Sequence, residues 1–137
     1  MDDNSQENFA FSNWGLSKAW QFRFEFYEEN GLPERKNASR FKEAFKALPM
    51  GKRFILANNI GSLFFGPLYF LCTGMWRKAI VLLFLLIFID AFLSALGGKN
   101  SIIIFVNMFS SMVLANPAYY LHRVKKSKSF NIFEGVF

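Results

Sequence analysis

A carboxylate at Asp90 lies inside the apolar run AIVLLFLLIFIDAFLSAL (79–96), where a charge is costly and indicates a function or a specific partner. A second apolar run, residues 101–121, follows the hinge Gly97-Gly98-Lys99-Asn100. If the two runs are antiparallel helices, Asn107 lies level with Asp90. The spacing therefore predicts an Asp90–Asn107 hydrogen bond. This pair is a lock between two helices, part of a proton or cation pathway, or a contact between copies in an oligomer.

The two apolar runs are long enough to position this pair inside a membrane. At about 1.5 Å per residue, a helix of either length reaches across the roughly 30 Å hydrocarbon core of a bilayer. Between Lys78 and His122 the only charged residues are Asp90 and Lys99, and Lys99 lies in the hinge. We therefore predict an all-α membrane protein built on a two-helix transmembrane hairpin.

Residues 54–73, FILANNIGSLFFGPLYFLCT, form an apolar segment that is interrupted. Pro67 lacks a backbone donor and disfavours helical geometry at Gly66. If this segment crosses the membrane, a basic cluster must face outward, against the positive-inside rule. If it enters and leaves on one side, fifteen of the sixteen basic residues lie inside and only Lys99 lies outside. We predict a re-entrant or interfacial broken helix, with three transmembrane helices as the alternative.

Charge divides the chain into three regions. Residues 1–53 hold nine of the sixteen Lys/Arg and eight of the ten Asp/Glu, and they are predicted to be a cytoplasmic region with two amphipathic helices. Residues 54–121 are the membrane domain, and residues 122–137 are a basic cytoplasmic tail. The basic residues of the tail are expected to attract anionic lipid headgroups. They are Arg123, Lys125, Lys126 and Lys128.

Helix-capping signals mark both N-terminal helices. Ser17 suits the N-cap of a first helix and Gly31 its C-terminal end, although the alternation in FRFEFY also suits a strand. A second helix is predicted from Asn37 or Ser39 to Pro49. Its aromatic face either lies on an anionic bilayer surface or packs against the first helix.

Few other residues carry a chemical signal. Residues 1–13 are predicted to be disordered, and their start lacks the basic and apolar parts of a secretory signal. Cys72 is the only cysteine, so we expect no intrachain disulfide and a buried, inert thiol. Asn116 is expected to satisfy the carbonyl that Pro117 leaves free. The sequence has no zinc-protease, nucleotide-binding or nucleophile-elbow motif, so we expect no enzyme and no cofactor or metal.

Two segments, LPMGKRF (48–54) and FFGPLYFLCTGMWRKAI (64–80), resemble the hallmark of a family. It is the YigF/YigG-like family of small bacterial inner-membrane proteins of unknown function. The resemblance covers residues 48–95 well and implies the bacterial inner membrane, but it implies no reaction. Within the motif we expect an aromatic wedge at the bilayer surface, a bend and an interfacial anchor. The wedge is Phe64, Phe65, Tyr69 and Phe70, the bend is Gly66 and Pro67, and the anchor is Trp76, Arg77 and Lys78.

Three functions are compatible with this sequence. The first is a non-enzymatic accessory or interaction protein, bound to a protein partner or to a second copy of the chain. The second is an immunity protein against a membrane-active toxin. The third is a small oligomeric transporter or channel around Asp90. In all three the bilayer and its anionic headgroups are the expected surroundings, the termini are cytoplasmic, and nucleic acid is not an expected partner.

Overall fold

A computed structural model describes residues 9–137 of the chain. Helices account for the regular structure in this range, and no strand occurs in it. The prediction of an all-α chain is confirmed, and the strand alternative for FRFEFY is wrong. The helices are α1 (Lys18–Asn30), α2 (Ala38–Ala47), α3 (Met50–Ala57), α4 (Ile60–Phe65), α5 (Pro67–Cys72), α6 (Trp76–Ala95) and α7 (Asn100–Arg123), with a 3-10 turn at Arg35–Asn37.

Helix α1 begins and ends where the capping residues indicate. The Ser17 hydroxyl accepts a hydrogen bond from the Trp20 amide at 3.3 Å, and Gly31, at φ 80°, donates its own amide to the Tyr27 carbonyl. A glycine adopts this positive φ without the strain that a side chain would add. Helix α2 starts after Asn37 and ends before Leu48.

Helices α6 and α7 form the hairpin that the two apolar runs predict. Within residues 9–137 these two helices, and no third, are long and apolar enough to cross a membrane. Only 17% of the most apolar stretch of α6 is buried, against 44% for α7. Residues 54–73, by contrast, are divided among α3, α4 and α5, which have 8, 6 and 6 residues.

An aromatic core joins α1 to the end of α7. The ring centroids of Trp20 and Tyr119 are 4.5 Å apart, and those of Tyr27 and Tyr120 are 5.1 Å apart. Phe24, fully buried, packs between them and Phe11. Such contacts stabilise the packing beyond the apolar area that they bury. The N-terminal helix and the C-terminal end of the hairpin therefore form one packed unit.

This core overturns part of the predicted disorder at the N-terminus. Residues 9–13 form a turn, in which the Ser12 amide donates to the Phe9 carbonyl and Phe11 is only 2% exposed. Phe11 is ordered because its ring packs on Phe24 of α1 at 5.5 Å. The remainder of the disorder prediction, residues 1–8, lies outside the described residues.

The residues that follow α7 return to the body of the protein. Ile132 is buried, and Gly135 lies against Leu32 and Leu121, where an added Cβ would approach the Leu32 side chain to 2.7 Å. A further difference from the sequence prediction is Cys72, which is exposed. Phe70 takes the buried position of α5 instead, so the Cys72 thiol faces outward.

Candidate functional site at the broken helix

Two breaks separate α3, α4 and α5. Between α3 and α4, Asn58 and Asn59 are extended, and between α4 and α5 stands Gly66 with φ 50° and ψ −126°. Pro67 is the first residue of α5. A backbone N–H at this position would have no partner within the helix, so the N–H that proline lacks is not needed there. Each break exposes backbone groups at a helix end, and in an apolar environment these groups need partners.

A cluster of buried polar side chains supplies these partners at the first break. The side-chain oxygen Oδ1 of Asn59 accepts the Ser62 backbone amide at 3.0 Å and so caps α4. The Asn59 amide donates to Asn116 Oδ1 at 3.0 Å and to the Tyr69 hydroxyl at 3.0 Å. Asn116 in turn donates to the carbonyls of Leu56 at 2.9 Å and Asn58 at 3.2 Å. We call Asn59, Ser62, Ser111 and Asn116 the asparagine cluster.

The asparagine cluster also ties α4 directly to α7. The Ser62 hydroxyl donates to the Ser111 carbonyl at 2.7 Å, and both serines are fully buried. Asn59 is 4% exposed and Asn116 is 1% exposed. Buried amides and hydroxyls of this kind are stable only when hydrogen-bonded, and here the side chains of Asn59, Ser62 and Asn116 all have partners. The cluster thus fixes the broken segment against the hairpin.

Arg23 of α1 supplies further hydrogen-bond donors to the backbone carbonyls at the first break. Its guanidinium donates to the carbonyls of Ile55 at 2.8 Å and Asn58 at 2.9 Å, at the C-terminal end of α3. A cation at this position is favoured by the partial negative charge of a helix C-terminus. Burial lowers the pKa of Arg23, and the guanidinium lies 4.4 Å from the centre of the Trp20 ring. Nothing in the aromatic pattern of α1 signalled this role.

Asn116 was expected to bond the carbonyl that Pro117 leaves free, and this prediction is wrong. Its amide donates to carbonyls of α3 and of the following break, and not to a carbonyl that Pro117 frees within α7. The sequence around Pro117 shows only the local effect of the proline, whereas the partners of Asn116 lie in a distant segment. The capping position of Asn59 before α4 was a readable signal, whereas its pairing with Asn116 depends on tertiary contact.

The motif residues of the predicted wedge separate into two groups. Phe64 and Phe65 are 70% and 61% exposed and face outward. Tyr69 is half-buried, with its hydroxyl accepting from Asn59, and Phe70 is fully buried. Phe70 is therefore a core residue and not part of an exposed wedge.

The three residues of the predicted anchor connect α6 to the tail. The Trp76 ring lies 5.9 Å from the Phe130 ring, and Arg77 donates to the Lys128 carbonyl at 2.6 Å. Lys78, only 3% exposed, forms an ion pair with Glu134 at 3.1 Å. Glu134 was not singled out from the sequence, because no local pattern relates it to Lys78.

The basic residues of the tail have different surroundings. Arg123 donates to the Tyr119 hydroxyl at 2.9 Å, and Lys125 pairs with Glu28 of α1 at 3.0 Å. Lys126 lies 5.4 Å from the centre of the Trp14 ring. The side chain of Lys128 is exposed.

A hydrogen bond joins Asp90 of α6 to Asn107 of α7. The side-chain amide Nδ2 of Asn107 donates to Oδ1 of Asp90 at 2.6 Å, while the side-chain oxygen Oδ1 of Asn107 is buried without a partner among the described residues. Asn107 precedes Asn116 by nine residues, or about 13 Å along a helix. Asp90 and the asparagine cluster are therefore separate features, and what the Asp90 pair does stays a prediction.

Together these contacts describe a joint built from hydrogen bonds, with its amides and hydroxyls directed at one another. In residues 9–137 no group of three or more His, Cys, Asp or Glu side chains could hold a metal ion. What the joint does chemically is to satisfy backbone groups where a helix is interrupted.

Comparison with known proteins identifies the family. Residues 5–127 match the family described as "Protein of unknown function (DUF2628)". The chain belongs to this family. It is 33% identical over 118 residues to the "Uncharacterized protein YigF" of Salmonella typhimurium, covering 85% of this chain and 92% of that protein. With the protein of the same description from Escherichia coli strain K12 it shares 34% over 118 residues, with the same coverage. The family resemblance predicted from the two motifs is confirmed.

The DUF2628 match spans the asparagine cluster and the whole hairpin, but it ends before Phe130 and Glu134. No solved structure matches this chain. The comparisons thus give a family of unknown function and assign no activity to it.

Proposed function

We propose that this chain is a two-span protein of the bacterial inner membrane that acts as a non-enzymatic accessory protein, by contact with a protein partner. The observation that carries the proposal is the exposure of α6. This helix has 20 residues, and 83% of its most apolar stretch is not buried by the rest of the chain.

Exposed apolar side chains of this size are best accounted for by a lipid environment. Phe84 and Phe88 of α6 and Phe105 of α7 are each 67% exposed. In water, such surface is unfavourable by roughly 25 cal/mol per Å², and soluble monomers rarely carry it in a contiguous patch. The central helix of a soluble protein would be mostly buried, and α6 is not.

The packing of the termini supports one orientation. Trp76 at the start of α6 and Tyr119 near the end of α7 lie at the same end of the hairpin, and α1 packs on Tyr119 through Trp20. Lys99 lies at the opposite end, in the hinge. We infer that α1, α2 and the tail are cytoplasmic and that the hinge faces outward, in agreement with the positive-inside rule.

The broken segment fits a re-entrant or interfacial position. At about 1.5 Å per residue, α4 and α5 are each too short to cross a bilayer. One side of α4 bonds to α7 through Ser62, and the other exposes Phe64 and Phe65. Helix α2 packs its Phe41 on Phe26 of α1 at 5.5 Å, which favours packing between the two predicted amphipathic helices.

The accessory role is inferred from the exposed surface of the broken segment, residues 54–73. The polar groups of the asparagine cluster are occupied inside the protein, and the exposed part of the broken segment is apolar. Apart from the exposed thiol of Cys72, this surface provides apolar contact area. We therefore infer that it binds a membrane protein, with Phe65 near the centre of the contact.

Photo-crosslinking in native membranes tests this role. A photoreactive residue in place of Phe65 should give one dominant adduct with a protein, because Phe65 lies on the proposed contact. The same residue in place of Phe84 of α6 should react with lipid and is the matched control. If neither position yields a protein adduct, or if both yield the same mixture of abundant membrane proteins, the accessory role is wrong.

A transporter or channel is the second candidate, and Asp90 is the observation that favours it. Its carboxylate is only partly buried and lies about 8 Å from the end of α6 at Ala95. Proton flux into vesicles that contain the purified protein tests this candidate. If Asp90→Asn conducts as the unmodified chain does, Asp90 carries no ion.

A further inference from the structure

A cavity of about 220 Å³ opens at the end of the hairpin opposite the hinge, where the start of α6 meets the residues after α7. Its wall is basic, with Arg77 and Lys78 from α6, His122 from the end of α7 and Lys128 from the tail. Ser127 and Ser129 of the tail also line the cavity. Among the described residues, no Asp or Glu side chain belongs to this wall. The cavity therefore presents positive charge and hydrogen-bond donors.

The guanidinium of Arg77 is held in place within this wall. One of its nitrogens donates to the Lys128 carbonyl at 2.6 Å, and its central carbon lies 5.3 Å from the ring centres of both Trp76 and Phe130. In the part of the chain that the structure describes, its remaining N–H groups have no hydrogen-bond partner. An ordered guanidinium with free donors matches the oxygens of a phosphate group.

Only part of the positive charge is neutralised by the protein. Glu134 pairs with Lys78 at 3.1 Å and accepts the Ser127 hydroxyl at 2.8 Å. Arg77 and Lys128 have no carboxylate within ion-pair distance anywhere in residues 9–137. The uncompensated charge on these two side chains faces the cavity, so an anion is the ligand that the wall favours.

We propose that this cavity binds a phosphate group, supplied by a phospholipid headgroup or by free phosphate. The lipid source rests on the proposed membrane function, because it requires Trp76 to lie at the level of the headgroups. In membrane proteins, Trp and Tyr side chains near the ends of membrane-spanning helices lie at the level of the headgroups. Basic pockets between helices on the cytoplasmic side bind anionic headgroups by the same chemistry.

Two measurements on the full chain distinguish the sources. Native mass spectrometry of protein released from nanodiscs of phosphatidylglycerol and phosphatidylcholine in equal parts reports retained lipid. Titration of inorganic phosphate into lipid-free protein in a maltoside detergent reports binding of the free ion. Binding of inorganic phosphate in detergent identifies free phosphate as the source. Retention of phosphatidylglycerol with no binding of inorganic phosphate identifies the lipid headgroup. Either result supports the site.

Three variants locate the binding. Arg77→Gln and Lys128→Gln should each reduce binding about tenfold or more, since each removes a charged donor to the phosphate. Lys126→Gln removes the same charge from the same tail outside the cavity and should change binding less than about twofold. Lys128 is exposed, and its side chain makes no hydrogen bond or ion pair within residues 9–137, so its variant tests the site even if Arg77→Gln does not fold.

The results separate this proposal from the membrane proposal. Equal loss in all three variants overturns the cavity site, because the attraction is then diffuse. So does the absence of bound lipid and phosphate in a folded protein that fractionates with membranes. If the protein fractionates as soluble, the membrane proposal fails, and the phosphate titration with its three variants then decides the cavity site alone.

Discussion

Asn59 and Asn116, 57 positions apart in the chain, meet side chain to side chain with 3.0 Å between the Asn59 amide nitrogen and the Asn116 carbonyl oxygen. Asn59 caps α4, and Asn116 belongs to α7 and also donates to the carbonyls of Leu56 and Asn58. A single amide of α7 therefore satisfies the end of α3 and holds the start of α4. This contact is what lets the chain interrupt a helix without leaving its backbone groups unpaired.

Replacing Asn116 should destabilise the protein. Asn116→Leu keeps a side chain of similar size but leaves the Leu56 carbonyl and one N–H of the Asn59 side chain without a partner, so we expect a loss of about 1–3 kcal/mol. Unfolding by sodium dodecyl sulphate in mixed micelles, followed by circular dichroism, measures it. Asn100→Leu, the same change at the exposed first residue of α7, is the control and should alter stability by less than about 0.5 kcal/mol. Equal effects of the two variants would refute the role of the cluster.

The bond between Asp90 and Asn107 should act as a lock between α6 and α7. A double-mutant cycle with Asp90→Leu and Asn107→Leu measures their coupling, and interhelical hydrogen bonds in membranes give about 0.6–1.7 kcal/mol. We expect a value in this range from the same unfolding assay. Strict additivity of the two substitutions would mean that the bond contributes nothing to the hairpin.

Two glycines of the broken region should respond in opposite directions to alanine. Gly66 has φ 50°, and an added Cβ would meet only the Ser111 hydroxyl at 3.5 Å, so the penalty of Gly66→Ala is backbone strain of about 1–3 kcal/mol. Gly51 lies inside α3 with no atom within 4 Å of an added Cβ. Gly51→Ala should therefore stabilise the protein by about 0.5–1 kcal/mol. A stabilising Gly66→Ala would exclude the bend.

Alkaline pH should weaken the aromatic core through Tyr27. Burial raises the pKa of the Tyr27 phenol, whereas an unfolded tyrosine titrates near pH 10. Above about pH 10 the unfolded state therefore releases its proton before the folded state does, and stability falls as the pH rises. Tyr27→Phe lacks this proton and should lose less stability between about pH 8 and pH 11. Parallel pH profiles of the two proteins would show that Tyr27 does not contribute.

Local patterns were sufficient for several elements. Ser17 and Gly31 indicated the ends of α1 because capping depends on neighbouring residues alone. The hinge fixed which residues of α6 and α7 share a level, so the meeting of Asp90 with Asn107 could be anticipated from numbering. The break at Gly66 followed from the proline after it.

Contacts between distant segments could not be predicted in this way. Arg23 reaches carbonyls more than thirty positions away, and the pairing of Lys78 with Glu134 spans 56 positions. Neither has a periodic or capping signal, because each depends on how helices pack. The burial of Phe11 is a further contact of this kind, because it depends on packing against Phe24 of α1 and not on a local pattern in residues 1–13.

Cysteine accessibility measures the membrane topology of this protein most directly. In a Cys72→Ser background, single substitutions Asn13→Cys, Lys99→Cys and Lys128→Cys would be treated in intact cells with a membrane-impermeant maleimide. We predict labelling of the Lys99→Cys protein alone, with the other two labelled only after the membrane is opened. Labelling of Asn13→Cys but not Lys128→Cys in intact cells, or the reverse, would mean that residues 54–73 cross the membrane and would contradict the two-span hairpin.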